Sequence, residues 1–584
     1  MWLDERMNIF EREVGGRRYR IAAQSLWDPA RQRPFGRQVV LGPADPPPVV
    51  DLALTRTIGT RRIGDVGALV WVAEQLDLVR LIDTACGCGV PGPTQGPTVG
   101  EIVLAVAVQR ACAAGPKRHL ARFLDSCVPR VSCLPASAFT GQVFHRVARR
   151  VTDAQLEQAQ IEVAGAAIRR FDLATDVLAF DTTNFDTHIA TTTPGELARR
   201  GHAKSNRRDL RVVGLATLVS ETGHVPLLHR TYPGNGSDQA VLGACLTALG
   251  QLHQALDDAE PRARPACRTL VRDGGSWSEQ LELDLDVEGY YTLISLPRGH
   301  TASQVALAFA AGRGAMKRLG GKLADVRAAR LRTPVGDLDR TLVVVESEEL
   351  LRGQKRGIAV ALRHAKDDLR KLARRAETGR LERAILEDRI HKALQREHLS
   401  EFLQVTVTER AGKLSLTWRV DQARRRHLER TRLGRRVLCT DHHAWSTGRI
   451  VYAFRGQWNV EELFRRAKKG GLVPWGPSHQ WADSSLRLHT FATVIGLELV
   501  SLARLALGTR MSPRRMMQTL AELHATLVTV RRQKRGRRPT VMLAPDLSAE
   551  QRRAAKTFDL ERWMPGILSS MTGGTSDPSS RPPE

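Results

Sequence analysis

The stretch Val177-Leu178-Ala179-Phe180-Asp181-Thr182-Thr183-Asn184-Phe185 decides how the chain reads. Four apolar residues in a row suit a strand buried on both faces, and a carboxylate follows at the point where the run turns polar. The next segments keep the strand character. Leu210–Ser220 and His224–Gly234 are apolar runs separated by Glu221-Thr222-Gly223, a sensible hairpin turn. A helical pattern over 238–256 comes next, then the short run Cys267–Asp273 closing on Gly274-Gly275, and then the strand-like YYTLISLP at 290–297. Strands paired first in hairpins and then alternating with helices indicate a mixed α/β sheet.

Upstream, the first fifty residues read as loosely built and end in the proline-rich linker GPADPPPVV. From Ile63 to Val151 the period is helical: Leu69, Val70, Val72, Ala73, Leu76 and Leu78 recur at three-to-four spacing. Downstream, Ile358, Leu362, Leu369, Leu372, Ile385, Leu386 and Leu394 give a long amphipathic pattern dense in charge. A β-hairpin around Gly412 follows it. The helical period returns after Tyr452 and runs to about 530, where the basic cluster RRQKRGRRP occupies 531–539. The expected organisation is an N-terminal segment and linker (1–57), a helical domain (58–170) that suits DNA binding or plain packing equally, and a sheet core in two parts (171–299 and 446–510). An inserted α+β domain (300–445) splits that core, and a basic helical region (511–570) and a disordered tail (571–584) complete the chain.

Composition narrows the partner. The chain of 584 residues carries 88 Lys and Arg against 62 Asp and Glu, a formal charge of +26. So large an excess is relieved by a polyanion, and nucleic acid is the default. No long apolar stretch able to span a bilayer is read from the sequence, and the N-terminus does not read as a signal peptide. The 8 cysteines are too sparse for a disulfide scaffold and read as reduced thiols in a cytoplasmic protein, nucleoid-associated if nucleic acid is its partner.

Three carboxylates stand in settings that a metal site requires. Asp181 ends one apolar strand, Asp273 ends another ahead of two glycines, and Glu461 lies in the helical WNVEELFRRAKK, where Trp458, Val460, Leu463 and Phe464 mark the packed side. That spacing favours Glu461 over its neighbour Glu462. Each residue taken singly also fits a turn, a cap or a surface ion-pair partner. Together, carboxylate oxygens suit Mg²⁺ or Mn²⁺, and two such ions about 3.5–4 Å apart serve in-line displacement at phosphorus. Around them, His202, Lys204, Arg207 and Arg208 form a basic loop that suits phosphate contacts or plain solvation. Trp277 is the better base-stacking candidate and Trp458 the better core residue. Asp441-His442-His443 reads as structural, because adjacent residues of a strand face opposite ways.

Three stretches resemble bacterial insertion-sequence transposases of the DDE class, in the group whose catalytic domain is interrupted by a large insertion. FDTTNFDTH at 180–188 continues into RRGHAKSNRRDLRVVGLATLVSETGHVPLLHRTYPGNGSD at 199–238, with its glycine-histidine-x-lysine and PGNxSD elements. VRDGGSWSEQ at 271–280 is similar to the second block, and FRGQWNVEELFRRAK at 454–468 to the third; Pro474, His479, Trp481, Arg487 and His489 resemble the tail. The resemblance implies an RNase H-like mixed sheet with Asp181, Asp273 and Glu461 as catalytic and metal-binding residues. It also implies Arg455, Arg465 and Lys468 as DNA contacts, although solvated helix charge fits Arg455 and Lys468 equally. Two departures stand out: Phe454 occupies a tyrosine position, with Tyr452 two residues earlier, and Ala203 replaces a serine. The gap from Asp273 to Glu461 is about twice that from Asp181 to Asp273, which calls for an inserted domain. The implied activity is metal-dependent cleavage at terminal inverted repeats of double-stranded DNA and strand transfer into a target, by a homodimer or higher oligomer. A nuclease without strand transfer and an inactive DNA-binding relic are the alternatives.

Overall fold

The computed structural model describes residues 8–14, 17–28, 33–44, 55–87, 96–205, 207, 209–259, 268–296, 308, 316–377, 382–410, 413–478, 480–530, 540–565 and 567–568. The linker residues 45–54, Cys88, Arg208, Cys267, Gly412, His479, the 531–539 cluster and the 571–584 tail lie outside them. The chain divides into two compact units, Met1–Val271 with Gly456–Glu584, and Arg272–Arg455.

In the first unit, β1 (Asn8–Val14), β2 (Arg17–Asp28) and β3 (Arg33–Pro43) form an antiparallel sheet where the sequence reading expects no regular element. Arg and Glu are scattered among the apolar residues there without a regular two-residue alternation, so the strand signal is faint. Strand β4 (Thr55–Arg62) leads into α1 (Gly64–Gln75), α2 (Leu78–Ala85), α3 (Val99–Ala113), α4 (Leu120–Asp125), α5 (Gly141–Ala148) and α6 (Asp153–Phe171). Capping boxes start two of these helices: Thr98 with Glu101, and Thr152 with Gln155.

A sheet follows. β5 (Val177–Thr187), β6 (Arg211–Ser220) and β7 (Pro226–Pro233) run as an antiparallel meander, with Gly223 and His224 at positive φ in the second turn. The chain then crosses over through α7 (Asp238–Ala259) to β8 (Thr269–Arg272), which pairs parallel with β5. A parallel neighbour requires such a crossover. The order is therefore β8-β5-β6-β7, with β5 and β8 buried as a parallel pair demands.

The second unit holds α8 (Glu279–Val287), β9 (Tyr291–Ser295), β10 (Lys317–Arg318), β11 (Val326–Val335), β12 (Leu338–Ser347), α9 (Glu348–Glu377), α10 (Arg383–Leu394), α11 (Leu399–Phe402), β13 (Leu403–Arg410), β14 (Lys413–Val420), α12 (Gln422–Thr431), β15 (Arg435–Thr440) and α13 (Thr447–Arg455). Strands β10, β11, β12, β15 and β9 pair antiparallel in that order. The β13–β14 hairpin packs with α9 and α10 around Leu369, Leu386, Leu399 and Phe402. The expected hairpin and long helix are present, and strands β10 to β12 are an addition to them.

The first unit resumes with α14 (Gln457–Ala467), α15 (Asp483–Leu507), α16 (Pro513–Ala521), β16 (His524–Val530), β17 (Thr540–Leu543) and α17 (Ala549–Thr557). Strand β16 pairs antiparallel with β4, joining segments far apart in the sequence, and 524–530 is strand where the helical period suggested helix. Helix α15 is long and apolar enough to cross a membrane, against the sequence reading; its apolar window is 83% buried inside the unit, as a core helix is. It packs on α3, α1, α5 and α6, so the N-terminal helices share one core with the C-terminal region rather than standing apart.

Glu498 lies in that core at 3% exposure, with Oε1 unpartnered among the described residues, and burial pushes its pKa up to about 8. The folded state thus keeps a proton that the unfolded chain loses above about 4.3, and stability falls as pH rises from there toward 8. Glu498→Gln keeps the shape without the charge. It is expected to remove a slope of about 1.4 kcal/mol per pH unit from denaturation free energies between pH 5 and 7. An unchanged slope contradicts this account of Glu498.

Candidate active site

The buried run Val177–Phe180 delivers Asp181 to the place where β5 outlasts its parallel partner. The β5–β8 ladder pairs Val177 with Thr269, Leu178 with Leu270 and Ala179 with Val271. The same offset in sequence separates Asp181 from Asp273, and each aspartate follows its own strand's buried segment along the chain. Asp273 is exposed; its carbonyl accepts from Ser276 Oγ (2.9 Å), which shapes the tight Gly274–Ser276 turn. The chain has passed into the second unit at Arg272.

Helix α14 is bound to the Asp181 strand by one buried contact. Gln457, at its first turn, donates from Nε2 to the carbonyl of Phe180 at 3.1 Å. Val460, Leu463 and Phe464 are buried, and Glu461 is exposed. Glu462 instead pairs with Arg465 (2.8 Å) and Arg466 (3.4 Å), while Glu461 makes no hydrogen bond or ion pair among the described residues. Trp458 is 55% exposed, not core, and the Arg465 guanidinium lies 5.3 Å from its ring centroid. The spacing argument placed Trp458 on the wrong side because Gln457, a polar residue, takes the buried position. Trp277 is partly buried against the second unit's core and offers less of its ring than Trp458 does.

Lys468, at the end of α14, ties the patch together electrostatically. Burial lowers its pKa first and the charge of Lys204 lowers it further, while Asp181, Asp186 and Glu461 oppose both. Two lysines and three carboxylates therefore share one region of the first unit. Asp186, accepting from Ser205 Oγ at 2.8 Å, is the member that the sequence reading left out. Its alternation with Asp181 on β5 gave no sign of a shared patch.

The basic loop is stitched to β5 by Asn184, which donates to His202 O (2.8 Å) and accepts from Lys204 N (3.0 Å). Lys204 Nζ donates to Thr182 O, so this lysine lies along the strand beside Asp181. Ala203 of the same loop is buried. His202 is exposed, and Arg207 is held in a two-pronged pair with Asp209 at 2.5–2.7 Å. Glycines let the loop close: a Cβ on Gly201 would overlap the Gly234 carbonyl, and one on Gly234 would overlap the Val212 carbonyl. Arg455, at the end of the second unit, is paired with Asp325 at 2.9 Å and donates to Lys322 O.

Behind the patch, Phe185 of β5 stacks on Trp475 (4.9 Å between centroids, 13° between planes), whose Nε1 donates to Thr490 Oγ1 of α15 at 2.9 Å. His489 Nε2 donates to Trp475 O, and its Nδ1 then accepts from the buried Lys117 at 2.6 Å. His489 thus has a structural role, as do Arg487, paired with Asp153, and the Asp441–His443 segment. In the latter, Asp441 accepts from Thr292 N and His442 is stacked between Tyr291 and Trp445.

The donor chemistry suits a hard divalent cation, since the carboxylates of Asp181, Asp273 and Glu461 offer oxygen only. Among the described residues no three His, Cys, Asp or Glu side chains form a ready metal-holding group.

No protein-family profile and no curated protein matches the chain. Among solved structures, a piggyBac transposase synaptic complex with hairpin DNA is similar at a TM-score of 0.35 and 10% identity, over 78% of this chain and 78% of that one. Neither the fold nor the function described here rests on so loose a likeness.

Gln457→Leu removes the donor to Phe180 O and leaves that carbonyl buried and unpaired. The expected cost is about 1–3 kcal/mol in denaturant-induced unfolding. A loss under a few tenths would show that the helix is held on β5 by other means.

Proposed function

We propose that the chain is a DDE-type DNA transposase of the insertion-sequence kind, with an RNase H-like catalytic core, cutting its element's ends and joining them to target DNA. The observation that carries the reading is that Asp181 and Asp273 each follow a buried segment of one parallel strand pair, with Glu461's helix bonded to β5 through Gln457. The meander, crossover helix and parallel strand, in the order β8-β5-β6-β7, are what an RNase H-like sheet requires of its first four strands.

Asp181, Asp273 and Glu461 would hold Mg²⁺ or Mn²⁺, as two ions. When bound, such ions activate the attacking oxygen and stabilise the leaving one. The chain's own groups do the rest. Lys204 and Lys468 set positive charge beside Asp181, where a phosphodiester needs it, and weaken the mutual repulsion of the carboxylates. Glu462, engaged by Arg465 and Arg466, holds the helix end and leaves Glu461 to face outward. His202 and the exposed Trp458–Arg465 pair flank the patch as further DNA contacts. Arg207 reaches a phosphate only by giving up Asp209, and Arg455 only by giving up Asp325.

The test uses the purified chain with labelled DNA flanking its native gene, in Mg²⁺ or Mn²⁺. Wild type is expected to cut at inverted repeats and to join pre-cut ends to a second duplex. Asp181→Asn, Asp273→Asn and Glu461→Gln each lower cleavage by about a thousand-fold or more, the loss expected when several kcal/mol of transition-state stabilisation go. DNA binding persists. Full cleavage by any of the three variants overturns the assignment, and cutting without joining reduces the enzyme to a nuclease.

A further inference from the structure

Helix α9 (Glu348–Glu377) carries its charge in a line. At 3.6 residues per turn, Arg352, Arg356, Arg363, Arg370 and Arg374 fall within about 40° of one another around the axis, and all five are exposed. The opposite side holds Ile358, Ala361, Ala365, Leu369, Leu372 and Ala376, buried in the core with α10 and the β13–β14 hairpin. Hydrophobic packing therefore fixes the rotation of the helix and turns the arginine row to solvent.

Little on the protein answers this charge. Between Arg352 and Arg374 the helix has two carboxylates, Asp367 and Asp368. Asp367 pairs with Arg370 at 2.6 Å, and Asp368 is taken by Arg396 at 2.9 Å. Arg352 reaches only the Glu348 carbonyl, and Arg356, Arg363 and Arg374 make no hydrogen bond or ion pair among the described residues. Like charges four apart on a helix cost a few tenths of a kcal/mol per pair, a cost that a polyanion lying along the row would offset.

We propose that this row, carried by the second unit and sharing no residue with the Asp181 patch, is a docking rail for the phosphate backbone of duplex DNA; it rests on the reading of the chain as a DNA-acting enzyme. The dimensions match. The rise from Arg352 to Arg374 is about 33 Å, close to the roughly 34 Å of one duplex turn. Guanidinium groups suit phosphate oxygens bidentately. A lipid surface is disfavoured, because Val360 is the one large apolar side chain exposed on the helix among the described residues. Contacts of this kind carry no base sequence, so the rail would hold any duplex equally and give binding a salt dependence.

The test is anisotropy of a labelled 40-base-pair duplex of arbitrary sequence with the full chain, across KCl concentrations. The triple variant Arg356→Gln, Arg363→Gln, Arg374→Gln keeps helix-forming residues. It is expected to bind about tenfold or more weakly at low salt, and to flatten the plot of log Kd against log [KCl] by about 2–3 units, near 0.9 per lost phosphate contact. The matching triple lysine variant keeps most of the slope. A slope unchanged in the glutamine variant overturns the rail, while cleavage by wild type in the same preparation leaves the enzymatic reading standing. Wild type that binds through the row yet never cuts supports the rail and sinks the enzyme. Wild type that binds no duplex sinks both, and equal losses on poly-glutamate would assign the row to an acidic protein surface instead.

Discussion

The parallel pairing of β5 with β8 is the constraint on which the rest depends. Neither strand can face water, since Val177–Phe180 and Thr269–Arg272 are buried throughout, so their backbone groups must be satisfied by neighbouring strands. A parallel ladder cannot be closed by a tight turn, which forces the crossover through α7. It also lays the buried segments Val177–Ala179 and Thr269–Val271 side by side, and Asp181 and Asp273 each follow one of them along the chain.

Glu461 is placed by a different force. Gln457 spends its amide on the Phe180 carbonyl in a buried setting, where an unmade bond is costly. With Val460, Leu463 and Phe464 packed inward, the helix can present Glu461 only outward. The Phe185–Trp475 stack and the His489–Lys117 pair then connect the same strand to α15, the centre of the helical core. The patch therefore stands on a rigid base that runs from β5 to the N-terminal helices. This accounts for the return of the chain after Gly456 to complete the first unit.

Much of this was legible in the residues. Apolar runs and turn residues gave β5 to β9 and α7, and the uneven gaps between the three carboxylates called for a large insertion. The misses have physical reasons. Trp458 looked like core because large aromatics usually are, yet the helix buries Gln457 for its hydrogen bond and leaves the indole to stack with Arg465. Strands β1 to β4 are rich in Arg, Thr and Glu, which blurs their pattern, and β4 pairs with β16 across most of the chain, which no local pattern reports. The membrane-length helix α15 escaped notice because Ser, Thr, His and Glu interrupt its apolar run; the fold satisfies the hydroxyls and His489 by local bonds and leaves Glu498 protonated. Glu461 was separable from Glu462 only by spacing, whereas the ion pairs of Glu462 separate them by contact.

The most direct test of the central claim, that Asp181, Asp273 and Glu461 share one metal site, is to let the metal report its own surroundings. Fe²⁺ loaded in place of Mg²⁺ and exposed to ascorbate and peroxide releases hydroxyl radicals that cut the nearest polypeptide. The account predicts three cuts, near residues 181, 273 and 461, all suppressed by excess Mg²⁺ and lost together in Asp181→Asn. Cuts at one or two of these segments only, or at others insensitive to Asp181, would contradict it.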